Sequence, residues 1–312
     1  MKSIIEVRNL EKSYKNSKAL KGISFDLQEG EILCLLGPNG AGKSTAINIL
    51  STALGCDGGE ILFNGRKVRK NDRFIKEHMG IVPQELAVYE ELTAEANIGF
   101  FASLYGLRGK ELRCKVDDAL EFAGLLDKRK DKVKTFSGGM KRRLNIACAI
   151  AHTPKVIIMD EPTVGIDPQS RNHILTSIRK LREKGATILY TTHYMEEVEE
   201  ISTRIIIMDH GSIIAEGTKE QLKESVENEK LYFIELQEIK DLKKDEFYRI
   251  EGVKKIEIEQ NKLKIAVLKG VENLDRLIAL VVNKGLKINN LNSMEASLET
   301  VFLSLTGRSL RD

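Results

Sequence analysis

The sequence lacks any apolar run long enough to cross a lipid bilayer as a helix, which takes about 20 residues. The apolar run at residues 278–282 is far shorter, and Arg276 and Lys284 flank it. The amino terminus is charged and has no apolar core of the kind that a secretory signal peptide requires. We therefore expect a cytoplasmic protein without a membrane-spanning segment of its own.

Cysteine is scarce, and its positions are scattered. Cys34, Cys56, Cys114 and Cys148 include no C-x-x-C pair, which argues against a disulfide framework and against a zinc site. The chain also lacks an excess of charge of one sign, because it has 49 lysines and arginines and 46 aspartates and glutamates. The formal net charge of +3 gives no reason to expect a nucleic acid as a partner.

What is present is the composition of an ordinary soluble globular protein, with 42% hydrophobic and 30% charged residues. A length of 312 residues predicts about two domains. The patterns predict a strand at a sheet edge over residues 4–10, a helical stretch over 92–126, and a closing hairpin over 205–215. Near Gly217 the character of the chain changes.

We therefore predict one domain over residues 1–218 and a second over 219–312. Alternating apolar residues and two helices, at 272–283 and 297–305, predict that the second domain is a small α+β domain. It has no glycine-rich loop, no histidine and no cluster of possible ligands, which favours a packing or docking module.

The most informative stretch is a glycine-rich segment between a predicted strand, residues 32–36, and a predicted helix, residues 46–50. Its sequence, Gly37-Pro38-Asn39-Gly40-Ala41-Gly42-Lys43-Ser44-Thr45, fits the pattern G-x-x-x-x-G-K-S/T. Glycines let the backbone approach phosphate oxygens, and the amide groups at the helix start attract an anion. We predict a phosphate site rather than a merely flexible loop. Lys43 would reach the β- and γ-phosphates, and Ser44 would hold Mg²⁺.

Acidic side chains follow a second apolar run. Residues 156–159 predict a buried parallel strand, and Asp160 and Glu161 come directly after it. A further predicted strand, residues 187–191, leads to His193. Open α/β sheets bind ligands at the carboxyl ends of their strands, so these side chains are expected at the phosphate-binding edge rather than in a solvated turn.

Taken in order, the phosphate loop, Gln84, Ser137-Gly138-Gly139, Asp160-Glu161 and His193 resemble the ATP-binding cassette of ABC transporters over residues 4–217. The resemblance implies an α/β fold of the P-loop NTPase class. Such a cassette has a RecA-like core, an antiparallel β subdomain and a helical subdomain. The tract 160–173 is similar to the ABC-2 type export subfamily. The tail 298–307 looks like the C-terminal extension of daunorubicin- and antibiotic-resistance exporters.

The resemblance implies ATP and Mg²⁺ as cofactors, and it implies a role for each motif residue of the nucleotide site. Tyr14 would stack on adenine. Asp160 would hold Mg²⁺ opposite the phosphate-loop serine, and Gln84 would contact the metal and the attacking water. Glu161 would orient and deprotonate that water. His193 would donate a hydrogen bond to the γ-phosphate.

The remaining motif is expected to act on a second cassette. Ser137, Gly138 and Gly139 would bind the γ-phosphate held by that cassette, because a hydroxyl and the amide groups at a helix start suit an anion. Asp167 would lie at the interface between the two. Met140 stands where the family usually has glutamine, a departure that also occurs in the ABC-2 branch.

The implied partners are a separate ABC-2 type transmembrane permease and a second cassette, which is either the same chain or a paralogous ATPase. No nucleic acid is implied. The implied location is peripheral, at the cytoplasmic face of the cell membrane. Two alternatives stay open: an importer ATPase, and a non-transport ABC protein of the ribosome or chromosome. One uninterrupted cassette without a basic arm argues against the latter. Only the tail and the tract after Pro162 favour export over import.

Overall fold

The computed structural model of the chain describes residues 2–15, 17–226, 229–238, 242–294 and 297–306. The chain divides into two compact units, and the boundary falls between Thr218 and Lys219. None of the helices in the described ranges combines the length and the apolarity that crossing a bilayer takes.

The strands in chain order are β1 (Ser3–Tyr14), β2 (Ser17–Gln28), β3 (Ile32–Leu36), β4 (Gly58–Phe63), β5 (Arg66–Lys67), β6 (Met79–Val82), β7 (Val156–Asp160), β8 (Thr187–Thr192), β9 (Arg204–Asp209), β10 (Ser212–Gly217), β11 (Glu229–Leu236), β12 (Val253–Glu259), β13 (Lys262–Leu268) and β14 (Ile288–Met294). The α-helices are α1 (Lys43–Leu50), α2 (Arg73–His78), α3 (Ala94–Leu104), α4 (Gly109–Ala123), α5 (Gly138–Ile150), α6 (Pro168–Glu183), α7 (Met195–Ile201), α8 (Lys219–Val226), α9 (Lys244–Phe247), α10 (Leu274–Asn283) and α11 (Leu298–Thr306).

A six-stranded sheet forms the centre of the first unit, in the order β10-β9-β3-β8-β7-β6. All neighbours pair in parallel except β10, which runs antiparallel to β9. Every residue of β3, β7 and β8 is buried, as expected for parallel strands covered on both faces. Since these three strands are adjacent, the residues that follow them share one edge of the sheet.

A second sheet is antiparallel, in the order β2-β1-β4-β5. The predicted edge position of the first strand was wrong, because β1 pairs with β2 on one side and β4 on the other. Asn64 and Gly65 join β4 to β5 with φ angles of 49° and 77°, and both signs fit a type I′ hairpin turn. Arg204 on β9 connects the two sheets, since its guanidinium lies 3.0 Å from Asp26 on β2 and 2.8 Å from Glu31.

Helices α3, α4 and α5 enclose an apolar cluster of their own, which includes Ile98, Leu120 and Leu144. The stretch predicted to be helical over residues 92–126 contains two helices, α3 and α4, with a break between them. α3 ends at Leu104, and the chain turns through Gly106 and Gly109, whose φ angles are 86° and 57°. Glycine reaches this left-handed region without steric cost, so the two glycines allow the break.

The second unit contains an antiparallel sheet in the order β12-β13-β11-β14. Its core joins Phe247, Ile265 and Leu277 from α9, β13 and α10. The two predicted helices are present as α10 and α11, and the charged residues Lys219–Val226 form α8. Strand β14 was not predicted, because its polar sequence INNLNSM lacks clear alternation. Residues 307–312 of the predicted second domain lie outside the described residues.

Candidate active site

The phosphate loop, residues 37–42, connects β3 to α1 and is enclosed by neighbouring backbone. A Cβ at Gly37 would lie 2.3 Å from the Met208 carbonyl oxygen, and one at Gly42 would lie 2.7 Å from the Ala19 carbonyl oxygen. Gly42 is the N-cap of α1, with φ 104° and no side chain to satisfy the first amide groups. The start of α1 therefore offers backbone N–H donors to an anion.

Lys43 is buried, at 4% exposure. Its Nζ donates to the Gly37 carbonyl oxygen at 2.7 Å and to the Pro38 carbonyl oxygen at 3.1 Å. It also lies 3.4 Å from Glu161 Oε1. Burial lowers the pKa of Lys43, and the neighbouring carboxylates of Glu161 and Asp160 oppose that effect. The ammonium group is thus desolvated, and electrostatic interactions are stronger there than at the surface.

Asp160 and Glu161 are both buried at the end of β7. The Thr191 hydroxyl donates to Asp160 Oδ1 at 2.6 Å. The Glu161 amide donates to Thr191 Oγ1 at 3.0 Å and to the Thr191 carbonyl oxygen at 3.2 Å. Glu161 itself has a φ of 44°, a left-handed conformation that costs free energy outside glycine. Thr191 therefore holds both acidic residues in place.

Glu161 is also close to His193, which follows β8. Glu161 Oε1 lies 3.3 Å from His193 Nδ1, so this one carboxylate oxygen is near both the lysine ammonium and the imidazole. The structure thereby joins Lys43, Asp160, Glu161 and His193 into one cluster at the edge formed by β3, β8 and β7. A carboxylate can accept a proton from water there, and cationic groups can stabilise charge on a phosphoryl group.

Four other predicted residues lie at the surface or near it. Ser44 and Thr45 occupy the first turn of α1, and Ser44 is exposed. Tyr14 is 47% exposed at the end of β1. The backbone carbonyl oxygen of Gln84 accepts a hydrogen bond from Arg142 Nη2 at 2.6 Å. Within the described residues, neither the Tyr14 ring nor the Gln84 side chain forms a hydrogen bond or ring contact with the cluster.

The second motif begins α5 and lies against the start of α6. Ser137 caps α5 by accepting a bond from the Met140 amide at 3.3 Å. A Cβ at Gly139 would lie 2.1 Å from Ser170 Oγ and 3.2 Å from Asp167 Oδ2. Asp167 caps α6, and its bonds from the Ser170 amide and hydroxyl lower the pKa of its carboxyl group. Ser137, Gly138, Gly139 and Asp167 thus form a second group.

Sequence reasoning missed several residues that hold these groups in position. Thr191 is one. Arg142 is another: it is buried and donates to the Pro83 and Gln84 carbonyl oxygens, which fixes the segment that carries Gln84. The sequence contained no useful signal for it, because a run of three basic residues normally predicts exposure to solvent.

Comparison with known proteins shows which family this chain belongs to. The family model for ABC transporters matches residues 20–164. Over 311 residues the chain is 42% identical to the linearmycin resistance ATP-binding protein LnrL of Bacillus subtilis, covering 99% of this chain and 100% of that protein. The chain belongs to the ABC transporter family. A model described as "ATP-binding protein DrrA1-3-like, C-terminal domain" matches residues 217–306.

Other ABC proteins show the same likeness. The chain is 34% identical to the daunorubicin resistance ATP-binding protein DrrA2 of Streptomyces coeruleorubidus, covering 97% of this chain and 95% of that protein. Among solved structures, cbiO1 from Clostridium perfringens superposes with a TM-score of 0.67 at 30% identity, covering 72% of this chain and 92% of that chain.

The predicted resemblance and fold class are therefore confirmed. This ABC protein binds nucleotide and hydrolyses ATP to drive transport, as the ATPase subunit of an exporter. ABC ATPases of this kind work with a transmembrane permease and form dimers.

Proposed function

We propose that this ABC ATPase powers an ABC-2 type exporter from the cytoplasmic face of the cell membrane, through a separate ABC-2 type permease. The cargo is a drug, an antibiotic or a lipid-like molecule. The observation that carries the proposal is the similarity to a linearmycin resistance protein over the whole chain, beyond the cassette alone. In this proposal residues 1–218 are the cassette, and residues 219–312 are an accessory domain. The unit boundary after Thr218 and the second family match support that division.

The proposed nucleotide site combines the phosphate loop with the cluster of Lys43, Asp160, Glu161 and His193. The triphosphate lies along Gly37, Pro38, Asn39, Gly40, Ala41, Gly42, Lys43, Ser44 and Thr45, and adenine stacks on Tyr14. Glu161 takes a proton from the attacking water, and His193 donates to the γ-phosphate. The burial of Glu161 and its 3.3 Å distance to His193 support these roles, because a held carboxylate loses little entropy when it orients water.

The residues near this site also suit Mg²⁺. Ser44, Gln84 and Asp160 supply oxygen donors, and Mg²⁺ commonly takes one or two carboxylates together with substrate phosphates. The Thr191 hydroxyl engages one carboxylate oxygen of Asp160, which fits a role for the other as a ligand. When bound, the metal neutralises charge on the β- and γ-phosphate oxygens.

The second group is proposed to act on another cassette, either a second copy of the chain or a paralogous ATPase. Ser137 and Gly138 are exposed, and they begin a helix whose amide groups suit the γ-phosphate of the facing cassette. Asp167 lies next to Gly139 and is proposed to contact the facing phosphate loop.

Ser137→Arg tests this role. We expect the ATP-induced dimer to disappear, because a large cation at the interface blocks approach of the second cassette. The ATP dissociation constant should stay within about twofold of the wild type. Sizing with and without ATP measures the first effect, and calorimetry measures the second. Ser103→Arg, at an exposed position in α3, is the matched control and should dimerise normally. Full dimerisation of Ser137→Arg would show that the segment does not act across the interface.

An exposed apolar surface supports the proposed permease contact. It consists of Leu86, Tyr89, Leu92, Phe100 and Leu104, with Tyr89 at 51% and Leu104 at 65% exposure. The Tyr89 and Phe100 rings pack edge to face, 5.3 Å apart. A group of exposed apolar side chains of this kind marks a protein contact. Leu86, the first residue of this surface, lies two residues after Gln84. In this proposal one short segment of the chain therefore contacts both the nucleotide site and the permease.

Co-purification tests the whole proposal. Tagged full chain, extracted with mild detergent from its own cells, should retain a polytopic membrane protein and show ATPase activity. The double variant Leu86→Asp/Tyr89→Asp should lose that protein. The control Tyr248→Asp, at an exposed position in the second unit, should keep it. ATP-driven accumulation of a fluorescent amphipathic drug in inside-out vesicles would support export. Recovery of ribosomal or chromosomal proteins instead would favour a non-transport role.

A further inference from the structure

One buried carboxylate has no part in the roles described so far. Glu197 on α7 is 1% exposed. Its Oε1 accepts a bond from the Thr163 hydroxyl at 2.6 Å, and its Oε2 accepts bonds from the Tyr190 and Thr192 hydroxyls, each at 2.8 Å. Burying a charge costs free energy, and hydrogen bonds or an opposite charge must compensate for that cost. The three hydroxyl groups supply this compensation for Glu197, so it matters which parts of the chain they come from.

The three donors come from two segments of the chain that carry predicted site residues. Thr163 lies in the segment 161–167, which starts at Glu161 and ends at Asp167. Thr192 ends β8 directly before His193, and its hydroxyl oxygen also accepts a bond from the Tyr194 amide at 3.0 Å. One carboxylate therefore links the segment that begins at Glu161 to the turn that carries His193.

The remaining donor and the counter-charge complete the network. Burial raises the pKa of Tyr190, as does the neighbouring Glu197, so the phenol stays a neutral donor. Arg171 on α6 lies with Nε 3.5 Å from Glu197 Oε1, and its guanidinium is 4.9 Å from the centre of the Tyr194 ring. Arg171 thereby balances the charge of Glu197, and it lies on α6, the helix that Asp167 caps.

We propose that Glu197 is a positioning residue, which holds the Glu161–Asp167 segment and the His193 turn in register with each other. The inference rests on the proposed function of Glu161 and His193. Through these contacts Glu197 is proposed to set the positions of Glu161, His193 and Asp167 together, and its effect on hydrolysis passes through those residues.

Glu197→Gln tests the inference, because an amide offers one acceptor oxygen where the carboxylate offers two. In the full chain we expect amide hydrogen exchange at residues 161–167 and 192–194 to accelerate by about tenfold or more, since these backbone segments lose their shared anchor. Exchange in β3 and in β13 should not change. The matched control Glu199→Gln makes the same chemical change at an exposed position of the same helix and should leave exchange in all four regions as in the wild type.

Kinetics supply the second measurement. We expect kcat of Glu197→Gln to fall by about 10- to 100-fold, as small displacements of catalytic groups do. The ATP dissociation constant should stay within about twofold. A purely structural role would instead raise exchange throughout the unit while leaving kcat nearly unchanged, and that result would overturn the inference. So would wild-type exchange in both segments.

Two shape-preserving variants keep the inference testable if Glu197→Gln does not fold. Tyr190→Phe and Thr163→Val each remove one donor to Glu197, and the Thr163 change should accelerate exchange at residues 161–167 more than the Tyr190 change does. Equal, wild-type exchange in both would contradict the inference. Glu161→Gln separates this question from the proposed function: if it leaves turnover unchanged, the catalytic assignment fails, while the exchange measurements still decide the role of Glu197.

Discussion

Glu161→Gln is expected to lower ATP turnover by about 10²- to 10⁴-fold, the usual contribution of a general base. The amide keeps nearly the same shape and volume, so the site should still assemble. Its oxygen can stay near Lys43 Nζ and His193 Nδ1, which lie 3.4 Å and 3.3 Å from Glu161 Oε1. An amide cannot take a proton from water, however. Binding of ATP should therefore survive while hydrolysis fails.

The same variant should accumulate as an ATP-bound dimer, visible as a doubled mass on sizing in ATP and lost after exchange into ADP. Turnover should be measured on the chain together with its membrane partner. Glu183→Gln, at an exposed position of α6, controls for the loss of a carboxylate as such and should behave as the wild type. Turnover of Glu161→Gln within about twofold of the wild type would refute the catalytic role and leave His193 or Gln84 as the better candidate.

Lys43→Ala is expected to weaken Mg-ATP binding by at least about 30-fold, because truncating one partner of a buried charge pair costs about 2–5 kcal/mol. Lys43 is the only charged residue of the segment 37–45 and is 4% exposed. Its removal takes away the buried ammonium group that is proposed to contact the phosphates, and Mg²⁺ alone does not replace that contact. Calorimetric titration with ATP and Mg²⁺ measures the loss.

Two further variants separate the charge from the packing of the side chain. Lys43→Met keeps the length of the stem and should bind as weakly as Lys43→Ala. Lys18→Ala, at an exposed position of β2 near the loop, should bind as the wild type does. Thermal melting checks that each variant folds. Unchanged affinity in folded Lys43→Ala and Lys43→Met would show that this loop is not where the phosphates bind.

The sequence was most informative where the chemistry is contiguous. A buried strand, a glycine-rich loop and a helix start can be recognised from local pattern alone, because the loop amides bind an anion without help from distant residues. The order of the motifs was enough to recognise the family, which the comparisons confirmed. The individual roles of the site residues remain predictions, for which the variants above are the tests.

The hydrophobic pattern of the sequence was least informative about which strands pair with each other and where one helix ends and the next begins. It placed β1 at an edge and gave no sign of the break between α3 and α4, because neither strand order nor a turn at two glycines alters hydrophobic periodicity strongly. The left-handed conformation of Glu161 was likewise not foreseeable, since it depends on bonds from its amide to Thr191 on the neighbouring strand.

The four glutamates of α7 show most clearly what the sequence determined and what only the tertiary structure decided. The sequence of α7, MEEVEEI, does not by itself distinguish one glutamate from another, and Glu196, Glu199 and Glu200 are exposed. Only the tertiary structure buries Glu197, by bringing hydroxyl groups from β8 and from the segment after Glu161 to one carboxylate. The physical reason is that a buried charge is tolerated only where several elements converge to solvate it, and that convergence is a property of the packed sheet rather than of any local stretch of chain.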